Sequence, residues 1–224
     1  AIVHIEMNIK KETNKQVIAA FDFDGTITKR DTLLPFLFFA AGKLATWRKL
    51  IKLTPYFIGF SLRFISRQEA KEKVLRSFFG GMPSSQLEEL GEAFALSAAM
   101  KKLILPRAMK RIEWHRRQNH RCVLVSASID AYLTPWSQSV GMSDLICSQM
   151  KIDNYGIVTG GLEGLNCWGP EKERRLEPLI TPRENYIVYA YGDSRGDKEL
   201  LALADHPFFR QMPSEANTRL LAQR

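Results

Sequence analysis

An apolar run that ends in two carboxylates constrains this chain more than any other feature. The run Val17–Phe21 is followed by Asp22 and Asp24, which are one residue apart, and then by Gly25. Five consecutive apolar residues before a polar turn predict a central strand covered on both faces, because such a strand shows no alternation of polar and apolar residues. Ligands of open α/β sheets bind at the carboxyl ends of the strands, which is where the two acids would lie.

The spacing of these two acids suits a metal ion. Side chains at positions i and i+2 of an extended segment point the same way, so Asp22 and Asp24 can face one site. A cation between them relieves their mutual repulsion, and Mg²⁺ commonly takes one or two carboxylate ligands from a protein. A D-x-D pair alone is equally compatible with an ordinary polar turn, in which Asp and Gly are frequent.

Net charge limits the classes of partner. The 224 residues carry 32 Lys and Arg against 24 Asp and Glu, which gives a formal net charge of +8. This excess attracts anions, including nucleic acid, acidic lipid surfaces and phosphorylated substrates. Nucleic acid is the weaker candidate, since the sequence contains no aromatic–basic RNA-binding motif. Three widely spaced cysteines, Cys122, Cys147 and Cys167, argue against a disulfide framework or a zinc site and favour a reducing, cytoplasmic setting.

Apolar stretches are too short for export or membrane insertion. Residues 1–15 contain no run long enough for a signal peptide and are predicted to form a partly disordered leader. The longest uncharged runs, Thr32–Gly42 and Leu53–Leu62, fall below the roughly 20 residues that a membrane-spanning helix needs. The sequence therefore predicts a cytoplasmic protein, for which peripheral contact with the inner face of the membrane stays open.

After Asp31 the apolar residues recur at helical spacing. Leu44, Trp47 and Ile51 stand at positions i, i+3 and i+7, with basic residues on the other face of the same helix. Further helices are predicted at Tyr56–Ile65 and at Gln68–Phe79. Another is predicted from an N-cap at Ser84 or Ser85 to about Ala99, and Glu88 would complete a capping box with Ser85. Residues 33–105 are therefore predicted to form an all-helical cap inserted into a core made of residues 1–32 and 106–224.

Strand and helix patterns alternate through the rest of the chain. Strand-like runs occur at Cys122–Val125, Leu145–Met150, Ile157–Thr159, Tyr186–Tyr191 and Phe208–Phe209, and helical patterns at Arg107–Asn119, Glu171–Ile180, Lys198–Ala204 and from Ser214. Such alternation predicts an α/β fold with a Rossmann-like parallel sheet as its core.

Polar groups follow three of the predicted strands. Asp22 and Asp24 follow the first, Ser126 follows a second, and Asp193 with Asp197 follows a third, while Lys172 begins the helix between the last two. The carboxyl ends of parallel strands meet at one edge of a sheet, so these groups are expected in one crevice. Carboxylates bind Mg²⁺, and hydroxyl and ammonium groups donate to phosphoryl oxygens. The combination suits phosphoryl transfer, which depends mainly on positioning and charge neutralisation.

Four segments carry a resemblance to a known family. They are DFDGTIT (Asp22–Thr28), VLVSAS (Val123–Ser128), GPEKERRL (Gly169–Leu176) and GDSRGD (Gly192–Asp197). In their order and separation these segments resemble the motifs of the haloacid dehalogenase superfamily. The helical cap between the first and second motifs is similar to that of the phosphoserine-phosphatase-like branch, subfamily IB with a C1 cap. This resemblance implies a phosphomonoester hydrolase that uses Mg²⁺.

The resemblance also assigns roles at the first and last motifs. Asp22 would be the nucleophile that forms an aspartyl-phosphate, and Asp24 the general acid and then the general base. The Mg²⁺ ion would be held by Asp22, by the main-chain carbonyl of Asp24 and by Asp193. Asp197 would either orient Lys172 or accept a hydrogen bond from metal-bound water.

Phosphate binding is implied for the two remaining motifs. Ser126, Ala127 and Lys172 would bind the phosphoryl oxygens. From the residues alone, Ser126 also suits a helix N-cap. Lys172 belongs to the charged run Glu171–Arg175, which also suits a solvated helix face, and Lys110 and Lys151 are weaker substitutes for it. His115 and His120 lie in a basic segment and are predicted to be surface residues.

The cap supplies the expectations about substrate. In phosphoserine phosphatases a glutamate after the first motif holds the substrate amine and a cap arginine holds its carboxylate. The corresponding candidates here are Asp31, Lys73 and Arg76, an imperfect match that argues against phosphoserine itself. The expected substrate is a small phosphorylated metabolite or, as the second choice, a lipid phosphate such as phosphatidylglycerophosphate.

The composition of the cap leaves a membrane role open. Lys43–Arg76 contains nine Lys or Arg residues against Glu69 and Glu72, among several aromatic side chains. Such a segment is typical of helices that lie on anionic membranes, although cap helices that pack together also show amphipathicity. A rival hypothesis from a different class is a non-catalytic basic module that binds anionic lipid or RNA.

Overall fold

The sheet is the scaffold that brings the predicted motifs together. The computed structural model describes residues 15–214. Five parallel strands form the sheet: β1 (Gln16–Phe21), β2 (Arg121–Ile129), β3 (Asp144–Ser148), β6 (Tyr186–Gly192) and β7 (His206–Phe209). Their order across the sheet is β3-β2-β1-β6-β7. The predicted α/β fold with a parallel sheet is confirmed.

Strand β1 lies at the centre of the sheet. Phe21 at its end is opposite Leu124 of β2 on one side and Tyr191 of β6 on the other. The chain adds β2 and β3 on one side of β1 and later adds β6 and β7 on the other side. The order in which strands are added therefore reverses between β1 and β6. The carboxyl edge of a sheet at such a switch point is where ligands bind in doubly wound folds.

Helices cover both faces of the sheet, as the unbroken apolar run of β1 predicts. Ala19 and Phe21 face one buried cluster, and Ile18 and Ala20 face the other. Helices α7 (Pro106–Arg117) and α8 (Asp130–Val140) pack on the first face. Helices α9 (Pro170–Leu176) and α10 (Lys198–Ala202) pack on the second.

Six helices lie between β1 and β2 and form the cap. They are α1 (Leu33–Ala41), α2 (Lys43–Lys52), α3 (Thr54–Ser61), α4 (Arg67–Phe79), α5 (Ser84–Leu96) and α6 (Ala98–Leu103). The two ends of this insertion meet, because Leu105 N–H donates to Ile27 O at 2.8 Å and Lys29 N–H donates to Leu103 O at 2.8 Å. Within residues 15–214, no helix has the length and apolar character needed to cross a membrane.

A small hairpin lies on the cap side of the molecule, and its second strand overlaps the run Ile157–Thr159, which was predicted to be a strand. Strands β4 (Met150–Ile152) and β5 (Val158–Leu162) pair antiparallel, apart from the main sheet. The chain between α4 and α5 pairs with the hairpin: Gly81 N–H donates to Val158 O, and Val158 N–H donates to Met82 O. The predicted run Leu145–Met150 is therefore divided between β3 and β4, because the chain leaves the parallel sheet at Gln149.

Several predicted boundaries were wrong. A capping box lies at Ser66 and Glu69, at the start of α4, whereas α5 follows Pro83 without a side-chain cap. The predicted helix Tyr56–Ile65 ends at Ser61, and the chain then turns through Arg63 with φ +63°. Helix α9 ends at Leu176 and continues as a 3₁₀ turn, Glu177–Ile180. The predicted leader before Lys15 and most of the predicted last helix lie outside the described residues.

Candidate active site

The turn after β1 presents Asp22 and Asp24 at the carboxyl edge of the sheet. Asp22 N–H still donates to Tyr191 O at 2.9 Å, and then Ile27 and Thr28 N–H both donate to Phe23 O, which closes a tight turn. Gly25 in this turn has φ +82°, and a Cβ there would lie 2.3 Å from an oxygen of Asp193. Only glycine fits this position, so the turn brings the first motif directly against the end of β6.

Asp22, Lys172 and Asp197 form a buried charge cluster. Lys172 Nζ is 2.6 Å from Asp22 Oδ1 and 2.6 Å from Asp197 Oδ1, and all three side chains are at most 7% exposed. Burial alone would lower the pKa of Lys172, but the two carboxylates outweigh it and raise this pKa above its usual range. Burial raises the pKa of Asp22 to about 7 in the protein without a metal ion, although Lys172 opposes that shift. One ammonium thus faces two carboxylates, so the cluster favours an additional cation.

Asp197 orients Lys172 and the last motif. Its Oδ1 accepts from Lys172, while its Oδ2 accepts from Ser194 Oγ at 2.9 Å and from the N–H groups of Asp193 and Ser194. Gly192 leaves room for this carboxylate, since a Cβ there would lie 2.5 Å from Asp197 Cβ. Of the two roles open to Asp197, the contacts favour orientation of Lys172.

The carboxylates at this edge fit a divalent ion. Asp22, Asp193 and Asp197 each offer an oxygen, and these oxygens lie within 4.8 Å of one another. Oxygen ligands of this kind are those that Mg²⁺ prefers. Because both oxygens of Asp197 are engaged, Asp22 and the half-buried Asp193 are the carboxylates that can hold the ion. Burial and the charge of Asp197 raise the pKa of Asp193, and a cation bound beside it would lower that pKa.

Asp24 lies beside this cluster and is held by hydroxyl groups. Its Oδ1 accepts from Thr32 N–H at 2.8 Å and from Thr32 Oγ1 at 2.7 Å, and its Oδ2 accepts from Ser128 Oγ. Tyr132 OH in turn donates to Ser128 Oγ at 2.9 Å. Burial and the charge of Asp31 raise the pKa of Asp24 to about 6, against these hydrogen bonds. A carboxyl group with a pKa near neutrality can both donate and accept a proton.

The second motif lies at the end of β2, next to β1. Ser126 is buried, and its Oγ accepts from Ser128 N–H at 3.0 Å. The carbonyl of Ala127 accepts from Lys71 of the cap. Ser128, which sequence reasoning left unassigned, is the hydroxyl of this segment that contacts Asp24. Phosphate binding by Ser126 and Ala127 stays a prediction.

A pocket of about 260 Å³ opens beside Asp24 between core and cap. Phe57, Phe60, Arg67 and Lys71 line it from the cap. The core side of the pocket is lined by Asp24, by Asp31 in the loop after the first motif, and by Ala127 and Trp168. The guanidinium of Arg67 lies 4.7 Å from the Trp168 ring centre and 5.6 Å from that of Phe60, so it connects the two parts of the pocket rim.

The cations that line this pocket differ from those predicted. Lys73 lies with its ammonium 5.0 Å from the Tyr56 ring centre, and the main chain of Arg76 packs against Gly160 of the hairpin. Neither residue lines the pocket, whereas Asp31 does. Helical spacing explains the difference, because Lys71 is one residue after the buried Ala70 and three before the buried Val74. The face of α4 that turns inward therefore carries Arg67 and Lys71.

The prediction that His115 is a surface residue was wrong. His115 is fully buried, and its Nε2 is 2.8 Å from Tyr191 OH, to which Arg111 Nε also donates at 2.6 Å. Burial lowers the pKa of His115 far below its usual range. His120 is partly buried, with its Nδ1 2.7 Å from that of His115. A polar network thus lies on one face of the sheet, in a segment whose basic composition suggested solvent.

Comparisons with known proteins identify the family of the chain. The profile of the haloacid dehalogenase-like hydrolases matches residues 19–202. Protein CicA of Caulobacter vibrioides is 33% identical over 197 residues, which cover 88% of this chain and 87% of CicA. A protein of Streptomyces azureus described as an inhibition of morphological differentiation protein is 24% identical and covers 89% of this chain and 73% of its own.

Solved structures share the fold. A Bordetella pertussis protein of unknown function superimposes with a TM-score of 0.74 at 20% identity and covers 93% of this chain and 95% of its own. A phosphoserine phosphatase, solved as a phospho-aspartyl intermediate analogue, superimposes with a TM-score of 0.57 at 17% identity, covering 85% and 84%. The family profile spans most of the chain and includes all four motifs, and we conclude that the protein belongs to the haloacid dehalogenase-like hydrolases.

Proposed function

We propose that this protein is a Mg²⁺-dependent phosphomonoester hydrolase in which Asp22 accepts the phosphoryl group. The observation that carries the proposal is the position of Asp22: a buried carboxylate with Lys172 on one oxygen, Asp193 beside it and Asp24 two residues away at the pocket wall. A nucleophile, a cation and a metal site thus form one buried cluster, and the acid–base group beside it lines the cavity. This is the set that two-step phosphoryl transfer requires.

The first step would form an Asp22–phosphate bond. A carboxylate oxygen of Asp22 attacks phosphorus while the bond from phosphorus to the leaving oxygen breaks, and Asp24 gives its proton to that oxygen. Lys172 remains beside Asp22, where Asp197 holds it, and its charge stabilises the negative charge of the transferring group. Asp22, Asp193 and the main-chain carbonyl of Asp24 would hold Mg²⁺, which when bound offsets the repulsion between carboxylates and phosphate.

The second step would return Asp22 to its starting state. Asp24, now ionised, takes a proton from water as the water oxygen bonds to phosphorus, and the bond between phosphorus and Asp22 breaks. Inorganic phosphate leaves. The pKa of Asp24, about 6, allows both roles near neutral pH.

The pocket supports two substrate classes within this activity. Arg67 and Lys71 suit a leaving group that carries acceptor oxygens, as in a small phosphorylated metabolite, while Phe57, Phe60 and Trp168 suit an apolar portion, as in a lipid phosphate. The rival hypothesis of a non-catalytic basic module that binds lipid or RNA predicts no hydrolysis of any phosphomonoester.

Removal of metal separates these hypotheses. We expect p-nitrophenyl phosphate to be hydrolysed with Mg²⁺, hydrolysis to fall more than about tenfold in EDTA, and addition of excess Mg²⁺ to restore it. The far-UV circular dichroism spectrum in EDTA serves as the control for folding. Equal rates with and without Mg²⁺, or no hydrolysis in either, would overturn the metal-dependent phosphatase.

The charge of Lys71 gives an expected pH dependence of substrate binding. Burial lowers the pKa of Lys71 to about 8, and the charges of Asp24 and Asp31 oppose this shift. Its ammonium donates to Ala127 O and to Asn166 Oδ1, which leaves one of its three donors for a ligand. The titratable groups that face it are Asp24, Asp31, Asp130, Cys147 and Cys167.

As the pH rises through about 8, Lys71 loses its charge and attracts an anionic substrate less. We expect the KM for p-nitrophenyl phosphate to rise about threefold to tenfold across this range, with a smaller change in kcat. In Lys71→Met, KM should be high and nearly constant over the same range. Lys73→Met tests the sequence-based prediction that Lys73 contacts the substrate. A larger increase in KM for Lys73→Met than for Lys71→Met would contradict the assignment of Lys71 to the pocket.

A further inference from the structure

Helix α3 is apolar around its whole circumference, yet none of its residues is buried against the rest of residues 15–214. Its exposed large side chains include Tyr56 at 40%, Ile58 at 54% and Phe60 at 37%. A helix that is apolar on every side is normally found in a protein core or in contact with lipid. Phe57 and Phe60 also line the pocket, so this helix connects the active site with the surface.

Further exposed apolar residues lie before and after α3 along the chain. On α2, Leu44, Trp47 and Ile51 are 74%, 56% and 68% exposed, and helical spacing places them on one face. After α3, Leu62 is 59% exposed and Phe64 is 81% exposed. We refer to Leu44, Trp47, Ile51, Ile58, Leu62 and Phe64 as the apolar cap face. Exposed apolar residues concentrated in one segment indicate an interaction site.

The opposite face of α2 explains why these residues point outward. Thr46 is buried and donates to Leu37 O at 3.0 Å, Lys49 Nζ donates to Ser77 O at 2.7 Å, and Leu53 is buried. These contacts fix α2 on the cap. Leu44, Trp47 and Ile51 therefore lie on the outer surface of a helix that is packed on the cap.

Charge distinguishes among the possible occupants of this face. Lys43, Arg48, Lys52 and Arg63 are exposed around it, and no acidic residue occurs from Lys43 to Gln68. A second copy of the chain would bring the same positive charges together, which is unfavourable. An anionic bilayer complements both features, because headgroup phosphates pair with Lys and Arg while aromatic and aliphatic side chains enter the boundary of the acyl chains.

We propose that the apolar cap face, with its surrounding Lys and Arg residues, docks on the surface of an anionic lipid bilayer. Helices α2 and α3, of 10 and 8 residues, lie on the membrane in this arrangement and do not cross it. The proposal concerns binding alone and holds whether or not the active site hydrolyses a phosphomonoester.

Co-sedimentation with vesicles tests this docking. We expect the protein to sediment with vesicles of phosphatidylcholine and phosphatidylglycerol at low salt, at least about tenfold less at high salt, and weakly with phosphatidylcholine alone. Ile51→Ser/Phe64→Ser should lower binding at least about tenfold, because the two large apolar side chains that would move from water into the bilayer are removed. Tyr155→Ser removes an aromatic side chain that is 89% exposed on the β4–β5 turn, and it should bind as wild type does.

A matched pair isolates the charge contribution. Arg48→Glu/Lys52→Glu should abolish binding to anionic vesicles, whereas Lys101→Glu/Lys102→Glu, with the same change in net charge on α6, should retain most of it. No sedimentation of wild type with anionic vesicles at low salt would overturn the proposal, as would equal losses in the two charge variants.

A wild-type dimer that Ile51→Ser/Phe64→Ser converts to monomer, without vesicle binding, would assign the face to a second copy. If wild type binds anionic vesicles but does not hydrolyse p-nitrophenyl phosphate, the result counts against the proposed activity and supports the docking.

Discussion

Asp22→Asn should lower kcat for p-nitrophenyl phosphate by on the order of 10⁴-fold or more, because an amide oxygen is a far weaker nucleophile than a carboxylate. Asn preserves the shape of the side chain, and Lys172 keeps its ion pair with Asp197. Removal of one buried charge from the cluster should therefore leave the fold intact. The loss should appear in kcat and not in the melting temperature.

A second measurement distinguishes covalent catalysis from charge placement. Acid quenching of wild type during turnover should trap a phosphorylated protein whose phosphoryl group maps to the peptide containing Asp22. Asp22→Asn should give no phosphorylated protein. Glu113→Gln, at a surface ion pair in which both side chains are about half exposed, should behave as wild type in both assays. Equal rates for wild type and Asp22→Asn, or a phosphoryl group on another peptide, would remove Asp22 from the reaction.

The sequence predicted those parts of the site that follow directly from strand ends. The run Val17–Phe21 predicted a strand covered on both faces, and the groups after β1, β2 and β6 were expected at one sheet edge. Lys172 was less certain, because the charged run Glu171–Arg175 equally suits a solvated face. In the structure Lys172 and Glu171 are both buried, and Glu171 pairs with Arg175 and with Arg174, whose side chain is 68% exposed.

Contacts between distant segments could not be predicted in the same way. Ser128 reaches Asp24 across 104 positions, and Lys71 reaches Asn166 across 95. The packing of the cap on the core decides such contacts, and a single sequence gives no register for that packing. The error at His115 has the same origin, since Tyr191 of β6 supplies the hydroxyl that satisfies its buried ring.

Lys172→Met should abolish activity and also destabilise the protein, unlike Asp22→Asn. Removal of one partner from a buried ion pair costs about 3–5 kcal/mol of unfolding free energy, because uncompensated charge remains inside. Here two carboxylates would remain, Asp22 and Asp197, both essentially buried. Chemical denaturation in EDTA at pH 8 measures this cost, and Lys198→Met, at an exposed lysine of α10, is the matched control.

The pH dependence and a double variant identify the source of that cost. A buried carboxyl group whose pKa is raised in the folded state binds more protons there than in the unfolded state, so stability falls as the pH rises. The pKa of Asp22 is already raised to about 7, and loss of Lys172 should raise it further. The deficit of Lys172→Met relative to wild type should therefore be larger at pH 8 than at pH 5. Lys172→Met/Asp197→Asn removes one of the two unpaired charges and should recover much of the stability but no activity. A single variant as stable as wild type at pH 8, or a double variant no more stable than the single one, would show that charge burial is not what Lys172 balances.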